Sequence, residues 1–200
     1  MRPWATDGRM TYGPAKHHRR SIRLREYDYA QAGAYFVTLV AHARECLFGR
    51  VVEGQTHLSM PGEVVAAEWL RSARIRGEIE LDAFVVMPNH VHGIVVIRDV
   101  GAHGRAPLPT ALRRSPRSLG SFIAGFKSAA TKRINAIRGT PGVPVWQRNY
   151  YEHVIRDDDD LGRVRRYIAE NPLRWDEDPE NPNAAGAHGR APLRDTHIPP

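Results

Sequence analysis

Cysteine is almost absent. Cys46 is the single cysteine in 200 residues, which rules out an intrachain disulfide and any thiolate-rich metal site. In "RECLFG" it reads as a structural thiol near the end of a strand. Long apolar runs are missing too, none approaching the roughly 20 residues that cross a bilayer. The opening "MRPWATDGRMTYGPAKHHRR" has no apolar segment of the secretory kind, so a cytoplasmic location is expected. Acidic residues are in deficit: 22 Asp and Glu face 29 Lys and Arg, for a net charge of +7. The pI of about 10.0 favours polyanionic partners, of which phosphate backbones are the commonest. Aromatics are only 8%, but hydrophobic residues reach 42%, enough to build the core of one domain.

Composition divides the chain. Residues 1–18 are rich in Gly, Pro and Arg without periodicity and are expected to be a disordered basic tail. Residues 19–176 read as one domain interrupted by a loop insertion at 98–117, and 177–200 as a second disordered tail. The octapeptide "GAHGRAPL" stands at both 101–108 and 186–193. Two copies are too few and too short for a repeat fold, and they are assigned no chemistry.

Inside the domain, the β-branched and aromatic run Tyr35 to Ala41 predicts a strand. "VVEGQTHLSM" predicts a short extended piece and a turn. Pro61 marks a helix start, with Val64, Val65, Trp69 and Leu70 spaced for one buried face. "EIELDAFVVMP" and "HVHGIVVI" predict two antiparallel strands joined by a tight Pro88-Asn89 turn. Leu119, Phe122, Ile123, Phe126, Ala130 and Ile134 form the apolar stripe of a helix. "VPVWQRNYYEHVIR" reads as extended. Four aspartates then favour a helix N-terminus, and Pro172 closes that helix. The order strand, helix, strand, strand, helix, strand, helix predicts a ferredoxin-like α+β sandwich: an antiparallel sheet covered by helices, with a C-terminal helix added.

His90 and His92 are the first candidates for chemistry. Residues two apart on a strand point to the same side, so both imidazoles project together while Val91 turns into packing. Their Cβ atoms should be about 6–7 Å apart, close enough to share one ion. Two ligands do not complete a site, and ten histidines make one His-x-His unremarkable by itself. The second stretch is "VRRYIAENP". Tyr167 lies at the edge of the buried stripe marked by Leu161, Val164 and Ile168, and Asn171 follows four residues later at the helix boundary. A tyrosine attacking a phosphodiester stores the broken bond as a phosphotyrosine, so rejoining needs no nucleoside triphosphate. A phenol with a pKa of about 10 needs help, and a divalent ion beside it can polarise the phosphate.

With these residues in place the chain resembles a known family. "MPNHVHGIVV" is similar to the His-hydrophobic-His (HUH) motif of single-tyrosine transposases of the insertion sequence 200 type. "WQRNYYEHVIRDDDDLGRVRRYIAENPLRW" resembles the tyrosine-helix region of their REP-associated branch, as do "REYDYAQAGAYFVTL" and "FKSAATKRIN"; together the similarity spans about residues 19–176. The resemblance implies a metal-dependent single-strand DNA nuclease and strand transferase working through a 5′-phosphotyrosine. It implies His90 and His92 as ligands of Mg²⁺ or Mn²⁺, Tyr167 as nucleophile and Asn171 as the further polar ligand, with Glu170 or Glu152 as substitutes. It implies a homodimer acting on single-stranded or hairpin DNA. Arg19, Arg20, Arg23, Arg25, Lys127, Lys132 and Arg133 are candidates for phosphate contacts. Arg165 and Arg166 flank the tyrosine and are expected to neutralise substrate charge.

Two other functions fit parts of this pattern. A His-x-His phosphodiesterase would release its product without attaching DNA to protein; a histidine-triad enzyme would need a third alternating histidine, where Ile94 stands. A domesticated nucleic-acid-binding protein of the same fold would bind DNA without cutting it.

Overall fold

In the computed structural model, which describes residues 28, 31–98 and 118–184, the expected elements form in the expected order. β1 (Gly33–Val40) is followed by the small hairpin β2 (Gly49–Val52) and β3 (Gln55–Leu58), then α1 (Met60–Arg74), β4 (Ile79–Val86) and β5 (His90–Ile97). α2 (Leu119–Arg138), β6 (Tyr151–Ile155) and α3 (Asp158–Glu170) complete the set, and a 3-10 segment, Asn171–Glu177, continues from α3. The sheet order is β4-β5-β1-β6, with every neighbouring pair antiparallel. This is the strand order of a ferredoxin-like sandwich, and the β2–β3 hairpin stands outside that sheet as a sheet of its own.

The two sheet faces carry different loads. Tyr35, Val37 and Leu39 of β1, with Val91 and Val95 of β5, face α1 and α2 and form the main core around Trp69, Phe122 and Phe126. Phe36 of β1 and Ile94 of β5 face the other way, into a smaller cluster with Val164 and Ile168 of α3. The alternation of side chains along a strand therefore assigns His90 and His92, in phase with Ile94, to the α3 face.

Local chemistry sets the helix ends. Ser59, Ser118 and Asp157 accept backbone N–H bonds as N-caps of α1, α2 and α3. α2 stops at Gly139, whose left-handed φ of 65° suits glycine. α3 begins with Asp158, Asp159 and Asp160 at the positive end of its dipole. Pro172 ends the α-helix but not the coiling. Asn171 keeps αR angles (φ −56°, ψ −41°) and leads into the 3-10 turns, although a residue before proline is biased away from that region.

A bulge in β4 helps to hold α3. Between Leu81 and Phe84 the register against β5 slips by one residue. Asp82, inside the slip, binds the Ala83 N–H and takes Arg165 of α3 through two guanidinium bonds, at 2.9 and 2.5 Å. That pairing, ahead of burial, which opposes it, pulls the Asp82 carboxyl below its ordinary range.

The packed chain runs past the boundary expected at 176. Asp178, Glu180 and Asn181 are buried, and the aspartate and asparagine bind nearby N–H groups of their own turns, Glu180 N at 2.7 Å and Asn183 N at 2.9 Å. The acid-, Pro- and Asn-rich composition that read as a tail is here turn chemistry. Cys46, expected as a structural thiol, is exposed; partial burial and then Glu45 push its pKa up. Both "GAHGRAPL" segments, the 1–18 tail and Arg19, Arg20, Arg23 and Arg25 lie outside the described residues.

Candidate metal centre and tyrosine

His90 and His92 are wholly buried, and their rings are fixed from behind. Asn89 donates its Nδ2 to the carbonyls of Arg44 (3.1 Å) and Glu180 (2.6 Å), so its Oδ1 must face the other way, towards His90 Nδ1 at 2.9 Å. An amide oxygen only accepts, so His90 carries its proton on Nδ1 and presents a lone pair on Nε2. His92 Nδ1 meets the Thr38 hydroxyl at 2.9 Å, placed by the β1–β5 register that sets Thr38 opposite His92. Both Nε2 atoms thus point at one spot and stand 3.0 Å apart. Burial lowers the pKa of both rings, that of His92 further because His90 adds to the effect. Neutral imidazoles are what metal ligation requires.

Two side chains from beyond α3 complete the cluster. Asp178 Oδ2 is 3.8 Å from His90 Nε2 and accepts Asn171 Nδ2 at 3.1 Å. His90, His92 and Asp178 each offer a ligand atom within 4.8 Å of the others, a group that can hold a metal ion. Asn171 is also buried, and among the described residues its Oδ1 has no hydrogen-bond partner. These donors fit a divalent ion. Two ligands at about 2.1 Å and about 90° from an octahedral ion are about 3.0 Å apart, the separation of the two Nε2 atoms.

Tyr167 arrives from the facing helix. Its hydroxyl is 3.5 Å from His92 Nε2, and its ring meets the edge of Phe36 at a centroid distance of 5.9 Å. Burial, then the charges of Asp178 and Glu180, push the phenol pKa above its ordinary value. Raised in this way, the phenol stays protonated at neutral pH.

The remaining candidates distribute unevenly. Glu170 pairs with Arg174 at 3.0 Å at a half-exposed position. Glu152 sits opposite Val37 in the β1–β6 register, which turns it to the α1–α2 face, away from the histidines. Arg165 is tied to Asp82, and Arg166 is exposed on α3. Lys127, Lys132 and Arg133 lie on α2, on the opposite side of the sheet from Tyr167. Lys127 donates to the carbonyls of Gln147 and Asn149, and burial lowers its pKa to about 8. Arg133 binds the buried Glu68 at 2.6 Å. Sequence reasoning missed Asp178, Asn89 and Thr38. Asn89 precedes the His-x-His directly and Thr38 follows from strand pairing, whereas Asp178 stood in a stretch assigned to a tail.

No protein-family model matches the chain. An uncharacterized protein of Haemophilus influenzae is 37% identical over 174 residues, spanning 84% of this chain and 95% of that protein. Among solved structures, a REP-associated tyrosine transposase bound to a REP hairpin aligns over 76% of this chain and 73% of its own, with a TM-score of 0.52 at 21% identity. A putative transposase from Deinococcus radiodurans aligns over 74% of this chain and 95% of its own, with a TM-score of 0.40 at 17% identity. The likeness to the hairpin-bound structure is one of fold.

Proposed function

We propose that this chain, which belongs to one family with the Haemophilus influenzae protein and has the fold of the hairpin-bound transposase, is a transposase-like enzyme that cleaves and rejoins single-stranded DNA. The observation that carries the reading is the meeting of Tyr167 with the two imidazoles on one face of the sheet.

Tyr167 Oη attacks the scissile phosphorus. The bond to the 3′ oxygen breaks, the phenol gives up its proton, and the leaving oxygen takes one to become a 3′ hydroxyl. The 5′ phosphate stays on the tyrosine. Attack by a second 3′ hydroxyl reverses the chemistry and joins a new strand. His90 and His92 would hold Mg²⁺ or Mn²⁺, with Asn171 as a further donor, and the ion would supply polarisation of the phosphate and an offset for the charge developing on it. Phe36 holds the tyrosine ring edge-on, and Asn89 and Thr38 keep both Nε2 atoms turned to one point.

The substrate is hairpin-bearing single-stranded DNA. Lys132 and Arg148 line an open groove of about 730 Å³ between α2 and the 139–148 segment, suited to backbone phosphates away from the cleavage point. Arg166, beside the tyrosine, neutralises phosphate charge, and the enzyme works as a homodimer.

The test is incubation with labelled hairpin DNA and Mn²⁺, followed by denaturing electrophoresis. A covalent adduct is expected, lost in Tyr167→Phe and His90→Ala. An adduct that survives Tyr167→Phe overturns the nucleophile, and DNA binding without cleavage under either metal leaves a binding protein only.

A further inference from the structure

The strap after α3 carries a buried acid that two histidines and a tyrosine do not require. Removing a carboxylate from water costs several kcal/mol, roughly, unless something offsets it. Glu180 has such an offset in Arg44 Nε, at 3.1 Å. Among the described residues Asp178 has no lysine or arginine in an ion pair. Its Oδ1 accepts the Glu180 N–H at 2.7 Å, its Oδ2 accepts Asn171 Nδ2 at 3.1 Å, and beyond these it faces His90 Nε2 at 3.8 Å. That is a carboxylate aimed at a lone pair, beside a buried oxygen of Asn171 that has no hydrogen-bond partner among the described residues. Such an arrangement is complete only with a cation at its centre.

We propose that Asp178 is a further protein ligand of the divalent ion, beside His90, His92 and Asn171, and that ion binding and docking of the 175–181 strap are one coupled equilibrium. The proposal deepens the metal-dependent reading above and rests on it. Two imidazoles and one carboxylate form a donor set for divalent ions of intermediate softness, with positions left over for a phosphate oxygen. The acid also matches the charge requirement. Asp178 and Glu180 together would repel a DNA phosphate, and Arg44 offsets one of them; the ion offsets the other and adds the excess that a phosphate needs.

Asn89 supplies the mechanical link. One amide orients His90 through Oδ1 and clamps the strap through Nδ2 to the Glu180 carbonyl at 2.6 Å. Asn181 Nδ2 closes the strap on itself at the Trp175 carbonyl, 2.9 Å away, and Trp175 lies 6.1 Å from the His90 ring. A strap seated on the same amide that sets the histidine cannot lift without disturbing the ion, nor can the ion leave without freeing Asp178.

The experiment is calorimetric titration of Mn²⁺ into the metal-free full chain, with amide hydrogen exchange followed over 177–184. The wild type should bind Mn²⁺ and slow exchange at the Glu180 amide. Asp178→Asn should bind at least tenfold more weakly and lose the Mn²⁺-dependent slowing, with its ion-free thermal midpoint as the folding control. Wild-type binding that leaves the Glu180 amide unchanged overturns the proposal without any variant. Asp178→Asn binding within twofold of wild type, while His90→Ala loses Mn²⁺, overturns the role of Asp178 and leaves the proposed function standing. Wild-type protein that takes up no Mn²⁺ overturns both.

Discussion

Tyr167 Oη stands 3.5 Å from His92 Nε2, although 75 positions separate the two residues in the chain. The tyrosine comes from the helix that covers the sheet and the histidine from a central strand. One protomer therefore brings the phenol and the imidazoles together. Tyr167→Phe removes the hydroxyl but keeps the ring against Phe36, so stability should change by no more than about 1 kcal/mol. Mn²⁺ affinity should persist while the DNA adduct disappears. Thermal unfolding, metal titration and denaturing electrophoresis of the one variant check all three.

Buried imidazoles with lowered pKa values make the fold acid-sensitive. The unfolded chain takes up protons on these rings near pH 6.5, roughly the free-imidazole value, whereas the native rings stay neutral to lower pH. The native state thus binds fewer protons in that interval. Its stability is present above about pH 6.5 and drains away as pH falls towards the native pKa values. Thermal midpoints in chelator should fall between pH 7 and pH 5, and His92→Gln should flatten that slope. A midpoint in the wild type that rises on acidification would contradict the burial argument.

Much of this arrangement was legible in the residues. Period-two alternation through "HVHGIVVI" gave the two histidines a common face, and helical spacing put Tyr167 at the edge of a buried stripe. What could not be read was which element lies over which. Asn171, Glu170 and Glu152 were all open as ligands, and it is strand register that turns Glu152 to the far face. Arg133 reads as a candidate phosphate contact, and nothing in the sequence shows that it also binds Glu68, 65 residues earlier. Asp178 was hidden for a different reason. Asp, Pro and Asn are as common in tight turns as in disordered tails, and composition does not separate the two.

Gly93 separates the histidine-bearing face from the core. It lies between His92 and Ile94 with its Cα hydrogens towards Trp69, and a Cβ there would come within 2.6 Å of the indole Cζ2. Trp69 is fully buried against Phe122 and Phe126 and has little room to retreat. Gly93→Ala should cost about 1–3 kcal/mol through overpacking. The strain falls on the strand that holds His92, so Mn²⁺ affinity should drop with stability. Chemical denaturation paired with metal titration reads both, and unchanged stability would show that the indole gives way freely.

The basic residues of α2 should part company under mutation. Arg133 neutralises Glu68, whose side chain is only 2% exposed, and Arg71 remains as a longer contact at 3.4 Å. Arg133→Ala should therefore destabilise the fold by about 1–3 kcal/mol, because it strands a buried carboxylate. Lys132 is exposed and lines the groove with Arg148. Lys132→Ala and Arg148→Ala should leave unfolding midpoints near wild type, yet weaken DNA binding evenly across sequences. Each should reduce the slope of log affinity against log salt by about one. Fluorescence anisotropy across a salt series, run beside thermal unfolding, separates the two behaviours. A salt slope unaltered in both groove variants would move the DNA to another face of the protein.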